Sequence, residues 1–400
     1  MNNFIEEILI ILKIFYLYII FITDESKINT KKSFKSKEEL QNGVQNFNNK
    51  NIIKKYGDIS NWDVSNITDM SSMFYYSNLN EDISNWDVSN VTNMSSMFSY
   101  SKFNGDISNW DVSNVINMTE MFFSSKFNKD ISNWNISNVN NMSCMFHSNE
   151  FNGDISNWDV SNVKNMSGMF AHSKFNGDIS NWDVNNIINM DIMFCCSKFN
   201  GDISEWDVSN VTDMSIMFCG SEFNGDISNW DVSNVTNMNN MFSCSKFNRD
   251  ISNWNVSNVI DMSFMFNSSR FNRDISNWNV INVVNMSYMF CNSKFNEDIN
   301  NWDISNVIDM TCMFYGCTIL EEYKLVVKTF KEQCNFINKI TEEECCISYE
   351  KININNDYMI CNTCNKQYLF ENINEWLKIQ NTCPHCRENW TSNVIYINKE

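Results

Sequence analysis

The stretch Gly105-Asp106-Ile107-Ser108-Asn109-Trp110-Asp111-Val112-Ser113-Asn114-Val115 decides the fold of this chain. The same pattern returns every 24 residues from about Tyr56 to Phe314, and its tryptophan marks eleven copies. These tryptophans are Trp62, Trp86, Trp110, Trp134, Trp158, Trp182, Trp206, Trp230, Trp254, Trp278 and Trp302. A fixed period of about 20–50 residues is typical of solenoids and propellers. The sequence therefore predicts a molecule organised by repetition rather than by one closed core.

The apolar positions of each copy predict its local structure. The spacing Ile59-x-x-Trp62-x-Val64-x-x-Ile67 follows the leucine-rich-repeat template, and its alternation with polar residues predicts a short strand with one buried face. Met70, Met73 and Phe74 follow at helical spacing and predict a short helix facing the same core. One copy cannot bury these side chains alone, but stacked neighbours can. The predicted fold is a leucine-rich-repeat-like solenoid with a short strand plus a short helix in every 24-residue unit.

Two polar positions are constant in every copy. The Asn66 column predicts a ladder whose amides satisfy backbone groups at a buried turn. The Asp58 column predicts a turn cap. Calcium bound by stacked aspartates, or a soft metal bound by stacked methionines, is the competing interpretation. We favour the structural one, because a residue that every copy requires usually serves the fold.

Partner recognition is expected where the copies differ. These positions follow the predicted helical turn and should be exposed or half exposed. They are Tyr75-Tyr76, Phe123-Ser124, His147-Ser148, Ala171-His172, Cys195-Cys196 and Ser243-Cys244.

Charge and cysteine usage exclude several classes of protein. A formal net charge of −19 argues against nucleic-acid binding by the array. Eight of the fifteen cysteines lie in the array at variable positions with no repeating pair, so a disulfide framework is not expected. Cys195 and Cys219 occupy the same column in adjacent copies and could form a bridge if oxidised.

The unit F-N-x-D-I-S-x-W-D-V-S-N-V-x-x-M-x-x-M-F resembles the BspA-type leucine-rich repeats of bacterial surface proteins. Similar arrays occur in mycoplasmas and in giant DNA viruses. The resemblance covers about 260 of the 400 residues. It implies a right-handed repeat solenoid and a role in protein interaction. It does not imply a particular partner, because scaffold residues define the family.

The N-terminal segment, residues 1–23, is a candidate membrane anchor. Residues 4–23 are apolar apart from Glu6, Glu7 and Lys13. A span needs about 20 predominantly apolar residues, and a central lysine costs about 3 kcal/mol on an insertion scale. The alternative is an apolar helix packed on the first copy. If the segment inserts, the lysines that follow it leave the array cytoplasmic, which is the host cytoplasm if the chain is viral.

Capping signals flank the array. Ser36-Lys37-Glu38-Glu39 is a capping box, and Leu40, Val44 and Phe47 follow at helical spacing. A second capping box, Thr318-Ile319-Leu320-Glu321, predicts a C-terminal cap. The predicted organisation is the segment 1–23, a capping region 24–55, the array 56–317, a capping and linking helix 318–340, a zinc module 341–392 and a tail 393–400.

The C-terminal region carries a zinc signal. Cys361-x2-Cys364 and Cys383-x2-Cys386 are separated by 18 residues. Thiolates from two such tight turns complete a tetrahedron, which predicts one Zn²⁺ in a small α+β module. Four buried reduced cysteines are the alternative. His385 is a less favoured ligand than the thiols that flank it.

The surroundings of these cysteines resemble a RING finger. The resemblance rests on the segments 345–350, 373–377 and 382–387. The RING family holds two zinc ions and binds ubiquitin-conjugating enzymes. Ser348 stands where that pattern has its second ligand, and no Cys or His lies near Leu369 and Asn372. One site therefore survives, and Cys345 and Cys346 are less favoured ligands.

The resemblance also implies roles for four other residues of the module. Ile347, Trp376 and Pro384 match positions that contact the conjugating enzyme. Arg387 matches the residue that steadies the ubiquitin thioester.

The leading hypothesis is an interaction scaffold. Its solenoid would bind a protein partner, and its tail would recruit a ubiquitin-conjugating enzyme, as in a ligase-type adaptor. The alternative is a membrane-tethered or surface adhesion protein without a ubiquitin role. A self-contained enzyme is disfavoured, because the chain has no glycine-rich phosphate loop, no nucleophile motif and only three histidines.

Overall fold

The computed structural model describes residues 32–320 and the backbone of three short strands at 358–361, 367–369 and 394–397. The chain divides into two units, Met1–Leu320 and Glu321–Glu400. The first unit contains the repeats and the second contains the strands. No helix within the described residues is long and apolar enough to cross a bilayer. The apolar residues 4–23 lie outside the described part of the chain.

A helical cap begins where the first capping box predicts it. Helix α1 spans Lys37–Gln45, and the Ser36 hydroxyl accepts the Glu39 N–H at 3.2 Å. The Glu39 carboxylate accepts the Lys35 N–H at 2.9 Å, one residue earlier than in an ideal capping box. Helix α2 spans Lys50–Tyr56 and begins after Asn49, whose side chain accepts a backbone N–H.

These helices cover the open end of the first copy. The Phe34 ring stacks on Tyr56 at 4.0 Å and lies 4.9 Å from Trp62. Phe34, Leu40 and Tyr56 are buried. The Lys37 ammonium reaches the first copy and pairs with Asp69 at 3.1 Å. An exposed repeat core is thereby closed by aromatic packing, as open solenoids require.

The copies contain neither the predicted strand nor the predicted helix. Within the described copies, the sole helical element is one 3-10 turn, Ile59–Asn61, and the rest is turns and coil. The prediction failed because the spacing of Met70, Met73 and Phe74 also fits consecutive tight turns. Met73 N–H bonds to the Met70 carbonyl at 3.2 Å, three residues back. The left-handed residue Ser72 (φ 58°) interrupts any helix there.

Each 24-residue copy makes one turn of the solenoid, which we call a coil. Backbone hydrogen bonds between neighbouring coils replace regular strands. The N–H groups of Met70, Ser72, Phe74 and Tyr76 donate to carbonyls of the next coil at 2.8–3.0 Å. The alternate N–H groups of residues 73, 75 and 77 bond within their own coil. Because only every second amide crosses, each junction forms a single parallel β-bridge. The array is therefore a solenoid of coils joined along one edge.

The core is built from columns of identical side chains. The Phe74 and Phe98 rings lie 5.1 Å apart and are nearly parallel, and this stacking continues along the array. From Trp86 onward, each indole N–H donates to the carbonyl of the isoleucine 27 residues earlier, at 2.9–3.2 Å. Each buried Trp therefore satisfies its polar atom across a coil junction.

The constant polar columns have the structural roles that the sequence predicts. The Asn90 amide donates to the Ser65 carbonyl of the preceding coil at 2.9 Å, and each later copy repeats this bond. The ladder is exposed, however, and not at a buried turn. The Asp178 carboxylate accepts the Ser180 N–H at 3.0 Å, as its equivalents do in the other copies. The Asp58 column is therefore a column of turn caps.

A further column mixes asparagine with aspartate and never places two aspartates in adjacent copies. The β-bridges join Asp69, Asn93, Asn117, Asn141, Asn165, Asn189, Asp213, Asn237, Asp261, Asn285 and Asp309, and no two neighbours in this series are both aspartate. The Asn237 amide donates to the Asp213 carboxylate at 3.3 Å, and Asn285 donates to Asp261 at 3.4 Å. Asparagine thus separates carboxylates that stacking would bring within about 4.8 Å of each other.

The second unit contains a three-stranded antiparallel sheet in the order β2-β1-β3. Strand β1 spans Tyr358–Cys361, β2 spans Gln367–Leu369 and β3 spans Val394–Ile397. Ile360 pairs with Gln367 of β2 and with Ile395 of β3. The predicted helix 318–340 lies outside the described residues from 321 onward.

Asn237→Asp should destabilise the array more than Asn141→Asp. The first change places a carboxylate between Asp213 and Asp261, whereas the second lies between two asparagines. Each new pair of charges about 4.8 Å apart repels by roughly 1–3 kcal/mol at effective dielectric constants of about 20–80. Urea unfolding should show this difference, and salt should reduce it. Equal losses of stability in both variants would contradict the charge argument.

Acid should destabilise the array through its turn caps. The N–H and hydroxyl of Ser180 bond to Asp178 and lower the pKa of its carboxyl below the ordinary 3.8. The same bonds lower the pKa in the other copies from Asp58 to Asp274. A lowered folded-state pKa stabilises above the unfolded pKa and loses that contribution as pH falls through the folded pKa. The melting temperature should therefore decrease as the pH is lowered below about 4.

Carboxyl-resolved NMR titration would measure these groups directly. Midpoints below 3.8 are expected for Asp178 and its equivalents. Asp178→Asn is the control, because the amide oxygen can accept the same N–H without titrating. Midpoints at or above the ordinary value would contradict the proposed origin of the acid sensitivity.

Candidate interaction stripe and cysteine cluster

Two residues in every copy adopt the left-handed backbone conformation. In the first copy these are Ser72 (φ 58°) and Tyr76 (φ 53°). Glycine, which adopts this conformation without a steric penalty, occupies only Gly168, Gly220 and Gly316 of the two columns. The bonds between coils therefore impose the conformation on most residue types. This explains why these positions carry no shared residue.

The second left-handed column brings consecutive side chains to the same side of the coil. The Tyr75 and Tyr76 ring centroids are 4.7 Å apart, and the Cys195 and Cys196 sulfur atoms are 3.7 Å apart. We call the positions equivalent to Tyr75 and Tyr76 in all copies the variable stripe. The six pairs singled out for partner recognition all lie on it.

The prediction that these pairs are exposed or half exposed holds only in part. Tyr75 and Tyr76 are 49% and 61% exposed. Ala171, Cys195 and Ser243 are buried. All three have short side chains at the first position of the stripe, where the neighbouring coils cover them. A large side chain such as Tyr75 extends beyond this cover.

One part of the stripe is a continuous run of rings, which we call the aromatic segment. Tyr76 stacks on Tyr100 at 4.4 Å, and Tyr100 lies 5.2 Å from Phe123. Phe123 stacks on His147 at 4.6 Å, and His147 lies 5.4 Å from His172. The segment comprises Tyr75, Tyr76, Tyr100, Phe123, His147 and His172. Burial and the neighbouring His172 lower the pKa of His147, so its ring is neutral near pH 7.

Cations border the stripe although the whole chain is acidic. The position two residues after the Tyr76 column is Lys or Arg in seven copies: Lys102, Lys126, Lys174, Lys198, Lys246, Arg270 and Lys294. Two glutamates interrupt the column: Glu150 pairs with Lys174 at 3.2 Å, and Glu222 pairs with Lys198 at 3.2 Å and with Lys246. These exposed pairs stabilise the fold little. The main effect of the lysines and the arginine is a basic border beside an apolar surface.

The stripe continues from the aromatic segment into thiols. The eight cysteines among the described residues are free, so the possible Cys195–Cys219 bridge is not formed. A hydrogen bond from the Cys195 thiol, which burial partly opposes, lowers the pKa of Cys219 to about 7. The same contact, together with burial, raises the pKa of Cys195. Cys219 is therefore the member of this pair that ionises more readily.

Sequence reasoning missed one grouping in the stripe. The ligand atoms of His172, Cys195 and Cys196 all lie within 4.8 Å of one another. His172 and Cys196 are 24 residues apart, so they occupy one column in adjacent coils. This 24-residue spacing was the one feature of the sequence that could have indicated the grouping. The local pairing of Cys195 with Cys196 needed the left-handed backbone of Cys196 (φ 51°), which sequence does not reveal.

Among the site residues predicted in the tail, the structure describes one, Cys361. Cys361 is the last residue of β1. The remaining candidates lie outside the described residues: the metal ligands Cys364, Cys383 and Cys386, the alternatives Cys345, Cys346 and His385, and the contact residues Ile347, Trp376, Pro384 and Arg387. The zinc site and the enzyme contacts therefore stay predictions.

Comparison with known proteins bears on the repeats. The profile of the family described as "Mycoplasma protein of unknown function, DUF285" matches residues 28–150, 124–224 and 217–327. No curated protein matches the chain, and no solved structure matches it. The tandem matches agree with the resemblance to BspA-like repeat proteins. Because they run from residue 28 to residue 327 of a 400-residue chain, the protein belongs to the DUF285 family.

Proposed function

We propose that the protein is a binding scaffold whose aromatic segment holds another protein. The family match supports a repeat protein that acts in protein–protein interaction or at a surface. The observation that carries the proposal is the unbroken run of ring contacts from Tyr75 to His172. Tyr76 is 61% exposed although it already packs against Tyr100.

The chemistry of the surface defines the partner. Exposed tyrosines and phenylalanines are enriched at the centres of protein interfaces. Rings that already stack lose little rotamer freedom on binding, which favours affinity. Lys102 and Lys126 border this part of the stripe. The fitting partner therefore offers apolar or aromatic side chains flanked by carboxylates.

Replacing Tyr76 and Tyr100 with alanine should weaken partner binding without unfolding the array. Both side chains are exposed, and truncation of an aromatic hot spot typically costs about 2 kcal/mol or more. That corresponds to roughly a 30-fold increase in Kd. Proteins captured by the wild-type chain would be identified, purified and titrated against each variant. Tyr315→Ala is the control, because Tyr315 is equally exposed in the last copy. Partners that bind all three chains equally would contradict the proposal.

We further propose that the tail binds one Zn²⁺ through Cys361, Cys364, Cys383 and Cys386. Two Cys-x2-Cys pairs separated by 18 residues support this ligand set. The position of Cys361 at the end of β1 is compatible with a ligand at a strand terminus. When bound, the metal would join two tight turns. The RING-like surroundings support recruitment of a ubiquitin-conjugating enzyme, which such a module positions without supplying a nucleophile.

The full-length protein should lose one zinc equivalent on Cys383→Ser and none on Cys317→Ser. Cys317 is a free thiol of the last copy and serves as the matched control. Elemental analysis after gel filtration measures the metal content. Ubiquitin discharge from a panel of charged conjugating enzymes then tests recruitment. Discharge that is absent throughout the panel would remove the ubiquitin part and leave the scaffold function in place.

A further inference from the structure

A cluster of metal-ligand side chains lies on the variable stripe, in the array and not in the tail. His172 comes from one coil, and Cys195 and Cys196 come from the next. Their ligand atoms lie within 4.8 Å of one another. His172 and Cys196 are exposed, whereas Cys195 is 8% exposed. An ion could therefore enter from solvent and meet a partly buried thiol.

The sulfur separation fits tetrahedral coordination. Two thiolates bound to one zinc at about 2.3 Å, with tetrahedral angles, have sulfur atoms about 3.8 Å apart. The Cys195 and Cys196 sulfur atoms are 3.7 Å apart. A zinc-bound imidazole nitrogen at about 2.0–2.1 Å lies about 3.6 Å from each sulfur. The three ligand atoms can therefore reach this geometry with small rotations of His172.

Three protein ligands leave one tetrahedral position for water. Zinc sites with two cysteines and one histidine use this arrangement. The Cys219 thiol occupies the column of Cys195 in the following coil, but it is not one of the mutually close ligand atoms. The ligands would then come from two consecutive coils.

Space for the ion is kept open by a glycine. Gly220 occupies the column of Cys196 in the next coil, with φ 63°. A Cβ atom on Gly220 would lie 2.9 Å from the Cys196 sulfur, closer than side chains approach without a shift. Gly316 holds the same backbone position at the end of the array, far from these ligands in sequence. A side chain at residue 220 would therefore crowd this thiol in particular.

We propose that His172, Cys195 and Cys196 form a Zn²⁺ site that ties two coils of the array together. Neutral imidazole and thiolates together suit zinc rather than magnesium or calcium. Binding releases the thiol protons to solvent and involves no change of oxidation state. The site lies next to the aromatic segment, because His172 belongs to both. Bound zinc would hold this part of the stripe rigid.

Zinc content of the reduced, full-length protein tests the ligand set. His172→Ala and Cys196→Ser should each lose one equivalent relative to the wild type, whereas Cys244→Ser should lose none. Cys244 is an exposed thiol of the same column. Cys383→Ser reports the tail separately, and the double variant Cys196→Ser/Cys383→Ser should lose both equivalents. Unchanged zinc in either His172→Ala or Cys196→Ser would overturn the proposal.

A second measurement leaves all three ligands in place. Gly220→Ala should raise the zinc Kd in competition with a chromophoric chelator, whereas Gly316→Ala, with the same left-handed strain, should not. Zinc should also slow maleimide labelling of Cys195 and Cys196 in the wild type and leave Cys244 unaffected. Labelling that is indifferent to zinc, or a Cys195–Cys219 disulfide that persists in reducing buffer, would overturn the proposal.

Discussion

The array depends on satisfying backbone polar groups at coil junctions that contain no regular strand. Only alternate amides of the segment 70–77 cross to the next coil, and each junction has a single β-bridge. Side chains supply much of the remaining bonding. The Trp indole and the Asn90-type amide each donate to a carbonyl of the preceding coil. An unpaired buried polar group costs about 1–3 kcal/mol, so the buried Trp column must recur in every copy. The Asn column adds a bond between the same coils at the exposed surface.

This requirement separates constant columns from variable ones. Trp, Met and Phe columns fill the interior, and the polar columns complete the hydrogen bonding. The Tyr76 column bonds to the next coil through its backbone N–H, and in the Tyr75 column the Ser99 hydroxyl also donates to the Glu120 carbonyl. The fold therefore requires no particular side chain in these two columns. Aromatic rings and thiols can occupy them on a framework that holds neighbouring side chains 4–6 Å apart.

Sequence reasoning recovered what depends on period and composition. The copy number, the core columns, the Asn66-type ladder and the start of α1 at Lys37 follow from residue type and spacing. The path of the backbone within a copy could not be predicted from residue type and spacing. Spacing of i, i+3, i+4 fits both a helix and successive tight turns, and the left-handed residues include Ile192 and Ile216, which ordinarily avoid that conformation. The His172 cluster depends on that path and was missed for the same reason.

The left-handed columns also bear on how such an array changes length. The coil imposes their conformation on nearly any residue type. An unequal crossover between two copies would therefore create a new junction with the same backbone hydrogen bonds as the others. Whole coils would be gained or lost while the core columns stayed in register. Each event would slide the aromatic segment relative to the caps by one coil, about 4.8 Å. The distance between the aromatic segment and each cap can therefore change in steps of one coil while the core columns keep their packing.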